Sequence, residues 1–364
     1  MADKKLGFGL MRLPRKGMSI DIEQTSEMAD LFLDAGFTYF DTAYVYQGSE
    51  KAIRKALIER HPRDSFTIAT KLYAASMPTE KMAKKELQTS LERLGTDYVD
   101  YYLLHSLMSS NYRKYEKFHL WDFVNEQKKK GVIRHVGFSF HDGPELLEEI
   151  LIAHPEAEFV QLQINYADWE NPSVTARANY EVARKYGKQI VIMEPVKGGA
   201  LADPKPEIQK LMKEKNPDLS YASWAIRFAA GLDGVLAVLS GMSSTEQMKD
   251  NLSYMEDFRA LDEGEMEVIR KAQKILGTSR AIGCTACSYC TKGCPKEIPI
   301  PQIFKAANLR IEQGRINDAK QAYAKILANG NGADACIACG QCVSVCPQHL
   351  EIVSLLKQCA KELV

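Results

Sequence analysis

Short apolar runs alternate with stretches of helical period along the first three quarters of the chain. The runs Phe37–Asp41, Phe66–Lys71, Tyr98–His105, Ile133–Ser139, Phe159–Asn165, Gln189–Glu194 and Gly234–Ser240 are rich in β-branched and aromatic residues. That content suits parallel strands buried on both faces. Between them, Ile22–Ala35, Glu80–Leu94 and Pro144–Ala153 carry apolar residues at amphipathic helix spacing. Strand–helix alternation of this length predicts right-handed βαβ units in a parallel sheet, an α/β fold. About eight such units in ~270 residues close most economically as a (β/α)8 TIM barrel. Leu6–Leu13 either supplies the eighth strand or covers the base of the barrel. Nearly every apolar run ends on a polar residue: Asp41, Lys71, His105, Ser139, Gln161 with Asn165, Glu194 and Ser240. In a barrel these ends meet at the C-terminal face, where the chemistry sits. No G-x-G-x-x-G follows a strand, which disfavours a dinucleotide-binding doubly wound sheet.

Composition narrows the classes. The 364 residues are 45% hydrophobic and 26% charged, an ordinary globular balance. Lys+Arg and Asp+Glu both number 47, so no net charge points to a nucleic-acid partner. No apolar run approaches the ~20 residues that span a bilayer, so no membrane partner is expected. MADKKLGFGLMRLPRKG has no apolar leader core, which leads us to expect a cytoplasmic protein.

All nine cysteines lie between Cys284 and Cys359. A shift this sharp predicts a boundary: a barrel over residues 1–276 and a second domain over 277–364. Ala272–Ala281 reads as the linker. In the tail, Pro301–Gln313 and Ile316–Ala328 read as helices, with Gly314 and Asn329-Gly330-Asn331-Gly332 as breaks.

The segment Asp41-Thr-Ala-Tyr-Val-Tyr46-Gln-Gly-Ser-Glu50 takes the argument to a family. With Lys71, His105 and the opening Gly7–Pro14, it resembles the aldo/keto reductases over roughly Leu6 to Asp262. The resemblance implies reduction of a small carbonyl compound with NAD(P)H by hydride transfer, catalysed by Asp41, Tyr46, Lys71 and His105. The chemistry explains the set. Hydride addition leaves an alkoxide that needs a proton and, meanwhile, stabilisation of its charge. Tyr46 is the expected proton donor, and the Lys71 ammonium is expected to lower its ordinary pKa of ~10. Asp41 would hold Lys71 charged, and His105 would donate a hydrogen bond to the carbonyl oxygen. Relatives that serve as potassium-channel β-subunits suggest an alternative, a barrel that binds nucleotide with little turnover.

The resemblance also assigns cofactor residues. Ser139, with Asn165 and Gln161 on the next strand, would hold the nicotinamide carboxamide, although Gln163 has the same strand parity as Gln161. Ser240, Gly241, Met242, Gln247 and Asn251 would bind pyrophosphate and adenosine at a helix start. Three residues depart from the family pattern: Phe140 where Asn is common, Met193 where an aromatic stacks on nicotinamide, and Gln247 where Arg grips the NADP phosphate. They leave NAD against NADP open. Tyr44, Tyr73, Tyr112, Trp121 and Trp169 are candidates for the substrate pocket.

The tail reads Cys284-Thr-Ala-Cys287-Ser-Tyr-Cys290-Thr-Lys-Gly-Cys294-Pro295 and repeats as Cys336-Ile-Ala-Cys339-Gly-Gln-Cys342-Val-Ser-Val-Cys346-Pro347. Both are the ferredoxin run for 4Fe–4S clusters, whose fourth cysteine ligates the other cluster in two-cluster proteins. One set is then Cys284, Cys287, Cys290 and Cys346, the other Cys336, Cys339, Cys342 and Cys294. Zinc would leave the third and fourth cysteines of each run unexplained. Disulfides suit a secreted chain, and clusters that only fold the tail are a further alternative. Cys359 reads as a buried helix cysteine. The 41 residues between Cys294 and Cys336 resemble the spacing of the α-helical ferredoxin domains of succinate dehydrogenase. The whole resembles the ferredoxin-fused aldo/keto reductases: a TIM barrel followed by a small α-helical ferredoxin-like domain.

Hydride moves two electrons together, whereas a cluster passes one. The leading expectation is a carbonyl-reducing enzyme whose clusters exchange electrons with a ferredoxin or another carrier. The alternatives are a flavin- or ferredoxin-dependent reductase with FMN at the barrel's phosphate site, and a nucleotide-binding redox sensor.

Overall fold

The computed structural model describes residues 4–364; residues 1–3, the start of the expected barrel domain, lie outside the described residues. Eight parallel strands close the barrel: β1 (Leu6–Gly9), β2 (Tyr39–Asp41), β3 (Thr67–Leu72), β4 (Val99–Leu107), β5 (Ile133–Phe140), β6 (Phe159–Gln163), β7 (Gln189–Met193) and β8 (Val235–Ser240). Leu6–Gly9 is the strand that closes the ring, with Gly7 opposite Leu239 on one side and Tyr39 on the other. The unbroken apolar runs have a direct cause. Tyr39, Ala69, Leu103, Phe159, Val191 and Ala237 fill the barrel, while alternate residues such as Phe40, Ile68, Val160 and Val238 pack outward under the helices. Gly137 makes room for this filling, because a Cβ there would stand 2.6 Å from the Phe159 ring.

Eight helices follow their strands: α1 (Ile22–Asp34), α2 (Ser49–Ile53), α3 (Glu80–Leu94), α4 (Leu120–Lys129), α5 (Pro144–Ala153), α6 (Ala176–Lys185), α7 (Tyr221–Ala230) and α8 (Thr245–Met255). Side chains of Asp21, Thr79 and Ser244 cap α1, α3 and α8 by accepting a backbone N–H in the first turn. A further helix, Glu263–Gly277, runs through most of the expected linker. Arg227 on α7 holds it by paired hydrogen bonds of 2.8 and 2.9 Å to Glu265, and Ala272 is buried against the barrel core. The connection is therefore shorter than the sequence suggests, and the second core begins at Ile282.

The tail is built as a repeat. Ala286 and Ala338, Ser288 and Gly340, and Glu297 and His349 occupy matching places in the two cysteine runs, and all six have positive φ. Short helices Tyr289–Lys292 and Gln341–Ser344 match in the same way, as do the longer Ile300–Gln313 and Ile352–Glu362. Ile303, Phe304, Tyr323, Leu356 and Cys359 form the core between the helices. Among the described residues no helix is long and apolar enough to cross a membrane.

The tail sits on the C-terminal mouth of the barrel. Gln163 and Gln348 exchange amide hydrogen bonds of 2.8 and 3.2 Å in a buried contact. Arg12 donates to the Thr285 carbonyl at 2.7 Å, and Lys292 to the Val45 carbonyl at 2.9 Å. Gly198 fits beneath Thr285, where a Cβ would stand 2.7 Å from the carbonyl oxygen. Gly198→Ala should therefore loosen the docked tail. Tryptic cleavage at Arg280 should rise by at least about fivefold, whereas Gly199→Ala, which also has positive φ but meets no neighbour, should leave it unchanged.

Candidate active site

The C-terminal ends of adjacent parallel strands gather the expected residues in steps: Asp41 pairs with Ala69 and Lys71 with Leu103, so Lys71 and His105 each stand two residues further toward the mouth than the residue before. Asp41 ends β2, Lys71 lies near the end of β3 and His105 near the end of β4. Lys71 Nζ donates to Asp41 Oδ1 at 2.5 Å and to the Thr42 carbonyl at 2.7 Å, and the pair is buried. Burial pushes Lys71 down and Asp41 up, and their mutual attraction works against both shifts. Asp41 Oδ2 has no partner.

Tyr46 is carried on the loop between β2 and α2. Thr42 and Ser49 share a hydrogen bond of 2.8 Å, Ser49 donates to the Leu10 carbonyl at 2.9 Å, and buried Glu50 accepts from Thr70 and Arg93. Lys71 Nζ lies 5.3 Å from the centre of the Tyr46 ring. Here one expectation is corrected. Burial, with the Asp41 charge behind it, pushes the Tyr46 phenol up rather than down. Asp41 already compensates the Lys71 charge, so desolvation wins. His105 is pushed well below its ordinary pKa, first by burial and then by Lys71, so it is neutral. Its ring meets those of Tyr46 and Tyr73 edge to face, with centroids 6.0 and 5.5 Å away.

A cleft of about 580 Å³ runs from this cluster to the start of α8. Gln161, Ser240, Gly241, Met242, Gln247 and Asn251 line it. Buried Gln161 Oε1 has no partner, and its amide nitrogen reaches only the Met193 sulfur at 3.5 Å. Gln163 lines the cleft as well, but its amide is tied to Asp168 and Gln348, and this distinguishes two residues of equal strand parity. Ser139 and Asn165 are not lining residues. Ser139 Oγ accepts from the Ser106 amide at 2.7 Å, and the Asn165 amide bonds Asp168 and the Glu194 carbonyl. The volume falls in the ~300–1,000 Å³ range of ligand pockets, and the α8 N-terminus suits a pyrophosphate. The unpartnered Gln161 oxygen suits a carboxamide N–H. Glu246 and Asp250 stand on the same wall, and a hydrogen bond from Ser244 holds Glu246 below the usual carboxylate range.

Of the aromatic candidates, only Tyr73 borders the site. Trp121 is buried on α4, stacked on His154 with centroids 4.1 Å apart, and Tyr112 bonds Glu149. Trp169 packs on Phe228, and Tyr44 lies under Arg93. The cleft wall also includes Arg12, His141, Glu194, Thr285, Cys287 and Tyr289, none of them expected as site residues facing a substrate. Burial holds His141 down to about 3, and its Nδ1 has no partner. Tyr289 stands out because the cysteine spacing does not require its side chain.

The thiols fall into two groups. Cys284, Cys287, Cys290 and Cys346 ring one cavity, closed by Ile300, Phe304 and Leu350. Cys294, Cys336, Cys339 and Cys342 ring a second. Each group takes three cysteines from one run and one from the other. Among the described residues, no three His, Cys, Asp or Glu side chains converge as a site for a single metal ion. Thiols spread around a cavity suit a multi-iron cluster better than zinc.

Residues 5–274 match the Aldo/keto reductase family and residues 283–350 match a 4Fe-4S dicluster domain. The chain is 25% identical over 316 residues to an uncharacterized oxidoreductase, YqkF, of Bacillus subtilis, a match covering 75% of this chain and 97% of that protein. The structure is similar to the holo form of an aldo-keto reductase, AKR11C1, from Bacillus halodurans, with a TM-score of 0.58 and 26% identity over 74% of this chain and 91% of the other. It also shares its fold with an aldo/keto reductase from Klebsiella pneumoniae solved with NADP and acetate, with a TM-score of 0.59 and 19% identity over 74% and 91% of the two chains.

The buried pair makes a stability prediction. Lys71→Met strands the Asp41 carboxylate and should cost about 3–5 kcal/mol, read from the barrel's denaturant midpoint. Asp41→Leu combined with Lys71→Met should recover most of that loss.

Proposed function

The chain belongs to the aldo/keto reductase family, and we propose that it reduces a small aldehyde or ketone with a nicotinamide dinucleotide held in the cleft. The observation that carries this reading is the convergence of Tyr46, neutral His105 and the buried Lys71–Asp41 pair at one end of a cleft containing the unpartnered Gln161 oxygen. Gln161 would hold the carboxamide, Met193 would pack on the ring, and the α8 N-terminus with Ser240, Gly241, Met242, Gln247 and Asn251 would take the phosphates and adenosine. Ser139 and Asn165 would act from behind the wall. Bound there, the reduced nicotinamide supplies a hydride.

The chain's own residues manage the proton. His105 donates Nε2–H to the carbonyl oxygen and orients it. Tyr46, held as a phenol by burial, keeps its proton until an alkoxide, a stronger base than phenolate, is formed. It then donates, and the Lys71 ammonium beside its ring stabilises the phenolate left behind. Asp41 holds Lys71 in that place.

In the tail, Cys284, Cys287, Cys290 and Cys346 would hold one 4Fe–4S cluster, and Cys336, Cys339, Cys342 and Cys294 the other. Cys287 lines the cleft and Cys339 is exposed, an order that suits single electrons passing between the barrel side and an outside carrier such as a ferredoxin.

Anaerobically purified protein should be brown, with about eight iron and eight sulfide per chain; a colourless, zinc-loaded protein contradicts the clusters. Tyr46→Phe should lower aldehyde reduction by about a hundredfold or more with dinucleotide binding intact, and an unchanged rate removes Tyr46 from its role. With Glu246 and Asp250 on the wall and no arginine at Gln247, NADH should bind at least as well as NADPH. Gln247→Arg should shift the ratio toward NADPH by about tenfold, the scale of one charge-assisted hydrogen bond to phosphate, measured by dinucleotide titration.

A further inference from the structure

The Tyr289 hydroxyl lies 3.2 Å from His105 Nε2, and Tyr46, whose ring meets the same imidazole edge to face, is close by. In the mechanism above, that is the place of the substrate's carbonyl oxygen, which has to accept from both groups. One position cannot hold two oxygens. The ring behind the hydroxyl is also held in place. It stacks on Tyr73 at an interplanar angle of 14° with centroids 6.3 Å apart, and Lys292, three residues on, is tied to the Val45 carbonyl.

The repeat in the tail shows that this tyrosine is not there for the cysteines. Gln341 occupies the matching place between Cys339 and Cys342, at the start of the matching short helix. A run of the same spacing and backbone therefore forms without an aromatic at that position. The difference between the runs follows what they face. Thr285 is buried against the barrel, whereas its counterpart Ile337 is 57% exposed. Tyr289 belongs to the barrel's site.

We propose that Tyr289 is the specificity-determining residue of the carbonyl site: its phenol fills the oxygen position between Tyr46 and His105, and a carbonyl compound is reduced only if it displaces that hydroxyl. The inference rests on the carbonyl-reductase reading and deepens it. Because the hydroxyl is fixed to its ring, opening the site means swinging the Tyr289 ring off Tyr73 toward the cleft beside Cys287 and Pro347, and a swing kept short by that stack admits only a slim compound. The class selected is therefore short, unbranched aldehydes, and aryl ketones are excluded. Because the closed form competes with substrate, the apparent affinity falls by the fraction of open site, while the rate at saturation does not.

The test uses full-length, iron-loaded protein with acetaldehyde and acetophenone as probes. Tyr289→Phe keeps the ring but removes the hydrogen bond that holds it at His105, so the ring swings aside more readily and the groups it covered are freed. It should lower KM for acetaldehyde by about five- to tenfold, the worth of the hydrogen bonds released, with kcat within about twofold and acetophenone still poor. Tyr289→Ala removes the ring and should raise kcat/KM for acetophenone by at least about tenfold. Unchanged KM values in Tyr289→Phe, with iron, sulfide and dinucleotide binding at wild-type levels, overturn the proposal. If Tyr289→Ala loses iron, Tyr289→Phe alone decides. Adding Tyr46→Phe to Tyr289→Ala separates the two readings. A double variant as fast as Tyr289→Ala keeps Tyr289 as the gate and removes Tyr46 as proton donor, whereas a slow one supports both.

Discussion

Lys71 and Asp41 face each other across adjacent strands at the barrel mouth, both closed off from water and joined at 2.5 Å. Two charges in such a place are costly unless each is satisfied by the other and by fixed dipoles. Lys71 has the Thr42 carbonyl as well, but the second Asp41 oxygen has no partner. Buried polar groups left short of partners concentrate where a structure serves chemistry rather than stability. The pair fixes Lys71 beside the Tyr46 ring, burial keeps His105 neutral, and the network through Thr42, Ser49 and Glu50 holds the Tyr46 loop. The register of β2, β3 and β4 makes this possible, because Lys71 stands two residues beyond the partner of Asp41, and His105 two residues beyond the partner of Lys71, a stepped row along the mouth.

The tail meets this mouth with only one of its two repeats. Matching residues of the two runs share backbone conformation, down to the positive φ at Ala286 and Ala338. They differ where one run touches the barrel: Thr285 and Tyr289 face the cleft where the outward run has Ile337 and Gln341. The repeat gives a symmetrical scaffold, and the halves differ where one of them docks on the barrel. The thiol group nearest the cleft and the group nearest solvent follow from that asymmetry, as does an aromatic hydroxyl 3.2 Å from His105 Nε2. The cleft formed by the barrel's own strands and loops is completed by Thr285, Cys287, Tyr289 and Pro347 of the tail.

Much of this was legible in the chain. Continuous apolar runs ending on polar residues described a barrel, because both faces of each strand are buried and the strand ends converge. Cysteine spacing described the two thiol groups, because cluster ligation imposes it. Four things were not legible, each for a physical reason. Gln161 and Gln163 share parity, so only their partners tell them apart: Asp168 and the docked Gln348 hold Gln163. Ala272–Gly277 reads as a linker by composition, yet the Arg227–Glu265 pair and burial of Ala272 extend the helix through it. The acidity of Tyr46 depends on whether Lys71 or burial dominates, a balance that no local pattern encodes. Tyr289 lay within a motif already explained by its cysteines, and only comparison with Gln341 in the second run would have marked it.

The central claim is that carbonyl reduction in the barrel is direct hydride transfer onto a carbonyl carbon held beside Tyr46 and His105, separate from the single-electron chemistry of the tail. Following the label from NADH deuterated at the reactive C4 position, with a short aldehyde in ordinary water, tests it most directly. The account predicts one deuterium on the carbinol carbon of the alcohol, delivered to a single face, and a proton from solvent on its oxygen. An alcohol formed at the same rate with its label lost to water would contradict it, because the electrons would then have travelled apart from the hydrogen.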